Sequence, residues 1–352
     1  MISFKLGVGW KINKKTADSS APINLEPPVI SGTATIGQTL TSTAGDWYSD
    51  TGVTGYLYQW YRDTALITDA TNNTYVLTSD DVNFSITCQV AATDIDGTSE
   101  YVSSNEIILY DVDYKIILDK GISLGYTLPA EFYQKKQSIL LTTMKSNGIW
   151  DKLDVFYNFA RAGSSGFATL NWKNPNTRQC TLVGSLNLAL NGFKGTGTGY
   201  INTNFNPTLG GPNNYIQDNA SRYIYMYQGS SSGVRALDGT DSVSINGITA
   251  VNFSSQRINQ GNLPIDTSFD FTLTRGMKSI HRVNSTNVEL FNGTTQGSRT
   301  ALSEEVANTN QFILRGFSLT TFGAHTISMY AMGASLVSEN TDFVNTYNTY
   351  LN

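Results

Sequence analysis

Charge is scarce in this chain. Lys, Arg, Asp and Glu make up 14% of its 352 residues, against roughly a quarter in an average soluble protein. The formal net charge is −5, and the densest basic stretches are Lys14-Lys15 and Lys135-Lys136. A surface for phosphate backbones needs clustered positive charge, so no nucleic-acid partner is expected. Histidine and cysteine number two each. His281 and His325 alternate with apolar residues and lack His-x-His or His-x-x-x-His spacing. A zinc centre or a Cys–His dyad would need distant segments, so no metal and no cofactor are expected. Cys88 and Cys180 fall in different predicted domains and read as small buried hydrophobes, not as a disulfide. No apolar run reaches the ~18 residues needed to span a bilayer, so no membrane insertion is expected. Lys5, Gly9 and Lys11 interrupt the N-terminal sequence, and no secretory signal is expected there.

What takes the place of charge is Ser, Thr, Asn and Gly, together with 19 Tyr and 16 Phe. That mix suits short strands joined by many turns, with hydroxyls and amides on the outer faces. The fold class expected is all-β. Length favours two domains of unequal size. Residues 1–25 read as an N-terminal docking arm, 26–111 as a first domain and 112–352 as a second.

In the first domain, strand candidates recur every few residues: Ile30, Thr39-Leu40, Tyr56–Tyr61, Tyr75–Leu77, Ile86–Ala92 and Glu106–Leu109. Alternation places Trp60 inward and Gln59 and Tyr61 outward. Cys88 lies on a later strand, and Trp60 and Cys88 are expected in the core. The series Gly37-Gln38-Thr39-Leu40, Trp47, Tyr58-Gln59-Trp60-Tyr61, Asn73-Thr74-Tyr75, Asp80-Asp81, Ile86-Thr87-Cys88-Gln89-Val90 and Gly97 resembles the immunoglobulin-like modules of phage structural proteins and bacterial surface proteins. The resemblance implies a β-sandwich. It departs from antibody-type domains at the first strand, where Leu40 or Ser42 stands in place of a cysteine. The inter-sheet disulfide is therefore absent, in keeping with folding in a reducing compartment.

The second domain opens with a helical pattern after Leu128-Pro129-Ala130-Glu131. Ile139, Leu140 and Met144 supply its stripe, and Asn147-Gly148 its C-terminal cap. Strand candidates follow at Phe167–Leu170, Tyr200–Thr203, Tyr223–Tyr227, Val243–Ile245, Phe269–Thr274, His281–Val283, Val288–Phe291, Phe312–Arg315 and Ile327–Ala334. A short helix from Asn340 to Leu351 carries Phe343, Tyr347 and Leu351 along one side. So many strands suit a two-sheet jelly roll with short flanking helices. Leu124-Gly125-Tyr126, Leu128-Pro129, Gly148-Ile149-Trp150-Asp151-Lys152-Leu153-Asp154, Leu170-Asn171-Trp172-Lys173-Asn174-Pro175, Gly192-Phe193-Lys194-Gly195 and Gly199-Tyr200-Ile201-Asn202-Thr203 resemble concanavalin A-like lectin/glucanase and laminin G-like jelly rolls. Such domains recur at the C-termini of phage tail and head-fibre proteins. Leu6-Gly7-Val8-Gly9 is also similar to the start of virion proteins. Trp150 and Trp172 read as core.

Little marks a catalytic site. Glucanases of this fold class carry Glu-x-Asp-x-x-Glu on one strand face, and no such run is present. Asp151 and Asp154 read as turn or cap residues, Glu304-Glu305 as a solvated loop, and Asp94-Ile95-Asp96-Gly97 as a hairpin turn lacking the downstream Glu of a calcium loop. No catalytic residue is assigned, and the chain is expected not to be an enzyme. The one distinctive row is Tyr223, Tyr225 and Tyr227, which alternation sets on one face, opposite Ile224 and Met226. Three tyrosines could stack on sugar rings, meet a neighbouring subunit or pack within the domain.

A composition suited to life outside a cytoplasm, without an export signal, fits a phage particle. Its parts are made in the bacterial host cytoplasm and exposed on the virion after lysis. The resemblances imply a tail fibre, head fibre or capsid decoration. Its expected partners are other virion proteins through residues 1–25, further copies of itself as a homo-oligomer, and host-surface polysaccharide bound by the lectin-like domain. A purely architectural cement protein and a glycan-degrading enzyme are the alternatives.

Overall fold

A computed structural model describes residues 20–229, 236–240, 247–249, 258–259, 274–315 and 323–352. Most of the docking arm and the strand candidates Val243–Ile245 and Phe269–Leu273 lie outside them. The chain divides between Tyr110 and Asp111 into two compact units.

The first unit is strands and turns. β1 (Ile23–Glu26), β2 (Ile30–Ser31), β3 (Thr39–Ser42), β4 (Asp46–Tyr48), β5 (Gly55–Arg62), β6 (Ala65–Leu66) and β7 (Thr74–Val76) lead to β8 (Ser85–Thr93), β9 (Val102–Ser103) and β10 (Ile107–Ile108). One sheet runs β10-β8-β5-β6 with β9 also on β8, a second runs β2-β3-β7, and β1 pairs β4. Trp60 lies directly across from Cys88 in the β5–β8 register, and both are fully buried with Leu40, Leu77, Ile86 and Val90. Cys88 is a free thiol. Ser42, whose hydroxyl donates to the Thr43 carbonyl at 2.9 Å, stands on the strand where an antibody-type domain would place a partner cysteine. Burial is the larger influence on that thiol and raises its pKa. The Trp60 indole N–H donates to the carbonyl of Asn72 at 2.8 Å, which satisfies the one polar atom of a buried ring.

One carboxylate is buried at the rim of this core. Asp81 accepts from Arg62 Nε at 2.8 Å, Tyr75 Oη at 2.9 Å and the Thr78 backbone N–H at 2.7 Å. A buried charge is tolerated when hydrogen bonds replace its water. Asp94 accepts from the backbone N–H groups of Asp96 and Gly97 at 2.8 and 2.9 Å, so this segment is the expected turn.

The second unit starts with α1 (Val112–Ser123) and α2 (Glu131–Ser146), followed by β11 (Leu153–Asn158) and the single-turn α3 (Ser165–Ala168). α1 was not among the expected elements. Its buried residues Tyr114, Ile117, Leu118 and Gly121 share one helical face, and Asp111 caps its first turn by accepting from Asp113 N at 2.9 Å. Gly121 is required by packing, since a Cβ there would stand 2.8 Å from Leu128 and Phe167. Phe167–Leu170 is not the expected strand. Ser164 caps α3, which turns Phe167 into the core. Pro129 precedes the N-cap of α2, and Asn147 forms its C-cap.

Strands then dominate: β12 (Thr181–Val183), β13 (Leu186–Ala189), β14 (Gly192–Gly195), β15 (Tyr200–Asn202), β16 (Ala220–Gln228), β17 (Ala236–Thr240), β18 (Gly247–Thr249), β19 (Gly276–Arg282), β20 (Asn287–Asn292), β21 (Thr295–Thr300), β22 (Gln311–Ile313) and β23 (Thr326–Gly333). The larger sheet runs β13-β14-β23-β16-β19-β20-β21, with β11 also on β23, and the smaller runs β12-β15-β22-β17-β18. The closing helix α4 (Asn340–Leu351) buries Phe343, Val344, Tyr347, Tyr350 and Leu351. An all-β sandwich architecture with few helices is therefore what the chain adopts. Trp172 and Trp150 are core residues, with the Phe156 ring 5.4 Å from Trp172 and 6.1 Å from Trp150. The Lys173 ammonium lies 4.3 Å over the Trp150 ring.

The interior of this unit is polar in an unusual degree. Arg222 on β16 is fully buried and donates to Asp238 on β17 through Nε at 2.9 Å and Nη2 at 2.6 Å. Tyr330 Oη donates to the same Asp238 oxygen at 3.1 Å. Burial opposes the Arg222 charge, but Asp238 beside it holds the guanidinium above its ordinary range. Arg282 and Lys278 are buried as well.

Candidate functional site

Alternation along β16 sets its two faces apart, as expected, but neither is open along its length. Arg222, Ile224 and Met226 are buried on one side, with Arg222 reaching Asp238 in the smaller sheet. Tyr223 and Tyr225 point the other way and are covered by α4. Tyr223 packs 4.8 Å from Phe343 and 5.0 Å from His281, ring centre to ring centre. Tyr225 packs 5.1 Å from Tyr347. Reading Tyr223 and Tyr225 as an exposed sugar platform or subunit interface is thereby corrected. The apolar stripe of α4 needs a surface to bury, and the tyrosine row is that surface. Tyr227 is half-buried, with the Arg275 guanidinium 4.4 Å over its ring.

The tyrosine strand does reach a solvent-facing site at its far end. A cleft of about 560 Å³ opens there, lined by Tyr225, Arg275, Gly276, Asn292, Asn345, Asn348 and Asn352 among others. Three elements position it. The last turns of α4 present Asn345, Asn348 and Asn352, whose spacing of three and four keeps them on one stripe. The start of β19 supplies Arg275 and Gly276, and the β20–β21 turn supplies Asn292 and Gly293. Asn340 ties the turn to the helix, since its side-chain amide donates to the Gly293 carbonyl at 3.1 Å. Gly293 has φ +65°, a left-handed conformation in the two-residue Gly293-Thr294 hairpin connection.

Tyr225, otherwise buried, borders this cleft. It donates to Asn348 Oδ1 at 2.9 Å and accepts from Arg275 Nε at 3.3 Å. Beneath the lining, the buried Lys278 ammonium donates to Asn292 Oδ1. Burial lowers the Lys278 pKa to about 8. The lining thus offers amides, a phenol and a guanidinium, groups that recognise hydroxyls and carboxylates.

The remaining candidates serve structure. Asp154 accepts from the backbone N–H groups of Asn214 and Tyr215 at 2.7 and 2.8 Å, and burial raises its pKa against the pull of those two donors. Asp151 lies in a one-turn 3₁₀ helix. Glu304 and Glu305 are exposed in a loop. His281 accepts from the Leu336 backbone N–H at Nδ1 and contacts Ser279 Oγ through Nε2. Burial lowers its pKa to about 3, so it is neutral. Among the described residues, no group of three His, Cys, Asp or Glu side chains is placed to hold a metal ion. Among them, too, no helix is long and apolar enough to cross a membrane.

Sequence reasoning reached Tyr225 but missed Arg275 and the asparagine stripe. The signal for the stripe was legible as Asn345, Asn348 and Asn352 at helical spacing. What the stripe faces was not, because β19 and the β20–β21 turn are remote in sequence.

No protein-family description matches the chain, and no curated protein matches it significantly. Solved structures do. Domain 4 of an extracellular arabinanase from Geobacillus stearothermophilus, solved with arabinotriose, is 14% identical with a TM-score of 0.32, covering 55% of this chain and 98% of that one. A Trypanosoma rangeli sialidase is 12% identical with a TM-score of 0.37, over 92% of this chain and 53% of that one. The binding domain of botulinum neurotoxin serotype D is 11% identical with a TM-score of 0.38, over 56% and 52%. The chain spans about half the length of the last two structures. The likeness is one of β-rich architecture alone. It nonetheless corrects the expectation that the chain is not an enzyme. The solved structures it resembles include a sialidase and a domain of an arabinanase.

Proposed function

We propose that this chain is a bacteriophage virion protein whose C-terminal unit binds host-surface polysaccharide in the cleft between α4 and the β20–β21 turn. The observation that carries the reading is the lining of that cleft, with Asn292, Asn345, Asn348 and Asn352 beside the Tyr225 hydroxyl and the Arg275 guanidinium. Saccharide hydroxyls donate and accept, and side-chain amides do both from one group. An open cleft with convergent polar groups suits a chain of sugars better than a small apolar ligand.

The virion setting rests on composition and on the resemblance of both domains to phage modules. Residues 1–25 dock on other virion proteins, and several copies act together. Each contact is weak, and many copies on one particle raise the effective affinity. The protein is made in the host cytoplasm and exposed on the released particle.

The test is binding of the full chain, displayed multivalently on beads, to a panel of bacterial surface polysaccharides, beside Asn348→Ala. Saturable binding that the variant weakens about tenfold is expected, the loss of roughly one well-made hydrogen bond at ~1.4 kcal/mol. A folded chain that binds no polysaccharide at high density overturns the reading and leaves the architectural one.

A further inference from the structure

From the charges around the cleft we infer that it selects acidic saccharides, those bearing a carboxylate, over neutral ones. This rests on the glycan-binding reading above and narrows it to a substrate class.

Among the described side chains of the lining, Arg275 is a cation and none is an acid. Among the described residues Arg275 makes no ion pair. It stacks on Tyr227 and donates to Tyr225 Oη through Nε, an arrangement that fixes the guanidinium plane. A guanidinium so held meets a carboxylate with two parallel hydrogen bonds, a geometry that a neutral hydroxymethyl group cannot return. Lys278 adds a second positive charge on the opposite face of the sheet, next in sequence to Met277, which lines the cleft. It is 1% exposed and likewise has no ion pair among the described residues. Its ammonium lies close beneath Gly276, where an added Cβ would stand 4.0 Å from Nζ. Gly276 and Asn292, the partner of Lys278, both line the cleft. A buried charge without counter-ion is screened little by solvent, so its field extends into the cleft.

The helix end that borders the cleft does not cancel this field. The last carbonyls of a helix carry partial negative charge. Here Arg161 donates to the carbonyls of Tyr350 and Leu351 and compensates that end of α4 on its own account. Arg161 does not line the cleft. Arg275 and Lys278 are therefore two cations without an ion pair among the described residues, in a chain whose net charge is −5.

The experiment compares pairs of ligands on the intact chain. A panel of uronic-acid and nonulosonic-acid oligosaccharides is measured beside the same compounds with each carboxylate reduced to an alcohol. The wild-type chain is expected to prefer the acid by about tenfold or more, with a preference that shrinks as salt is raised. In Arg275→Gln the preference is expected to vanish, the acid losing about tenfold more affinity than its reduced counterpart. Lys278→Met is expected to lower the preference without abolishing it, because Lys278 acts through its field and not by contact. Equal affinity for acid and alcohol, or a preference that survives Arg275→Gln, overturns the acidic class and leaves glycan binding standing. Absence of binding to both members of every pair overturns glycan binding itself.

Discussion

The two units handle buried charge in opposite ways. In the first unit the core around Trp60 and Cys88 is apolar, and its buried carboxylate, Asp81, stands at the rim where Arg62 is still partly exposed. In the second unit the charge lies between the sheets. Arg222 and Asp238 are both fully buried, and Lys278 and Arg282 are buried on the same face of the larger sheet as Arg222. The first arrangement pins a loop to a finished core. The second makes polar groups part of the core, where each must be matched by a partner because water cannot replace one. The second unit is the more conditional of the two. Its fold depends on keeping specific pairs together, and on pH.

The comparison is broken or sharpened by three measurements of local stability, read by hydrogen exchange on peptides of each unit. The largest effect is expected from Asp238→Ala. It strands Arg222 in the interior, and removing one partner of a buried pair costs about 3–5 kcal/mol. The loss should appear in the second unit and leave Trp60 and Cys88 peptides unchanged. A loss below ~1 kcal/mol would mean that the interior readily admits water. Next comes Asp81→Asn in the first unit. It weakens charge-assisted bonds to Arg62, Tyr75 and Thr78 and should cost about 2–3 kcal/mol. A cost equal to that of Asp238→Ala would erase the contrast between rim and interior.

The smallest effect is a pH dependence. Both histidines lie in the second unit. Burial lowers the folded-state pKa of His281 to about 3, against roughly 6.5 in an unfolded chain. As pH falls below the unfolded value, the unfolded state takes up a proton that the folded state refuses. Stability is therefore present above about 6.5 and lost progressively toward 3, by roughly 2 kcal/mol at pH 5. In His281→Gln this loss should shrink. An unchanged acid profile in that variant would place the sensitivity elsewhere.

Much of this architecture was legible beforehand because it rests on short-range patterns. The alternation in Tyr58–Arg62 and Ser85–Val90 put Trp60 and Cys88 on one face. Asn147-Gly148 closed a helix, and Phe343, Tyr347 and Leu351 marked the apolar side of another. The failures have physical causes. The α1 stripe of Tyr114, Ile117, Leu118 and Gly121 is short and interleaved with Ile116 and Ile122, both exposed, which blurs its period. Phe167–Leu170 has strand-like composition, yet the Ser164 cap decides for a turn of helix. The tyrosine row was visible, but what covers it comes from Asn340–Leu351, more than a hundred residues away.

By itself, then, the sequence determined the fold class, the placement of Trp60, Cys88, Trp150 and Trp172 in cores, and the face that Tyr223 and Tyr225 share. Each follows from periodicity and residue type, which act over a few residues. Only the tertiary structure decided that α4 lies over the tyrosines, that Arg222 meets Asp238 between the sheets, and that Arg275, Asn292 and Asn348 converge on one cleft. These are pairings between remote segments. They are fixed by which apolar faces bury one another, and no local pattern records that choice.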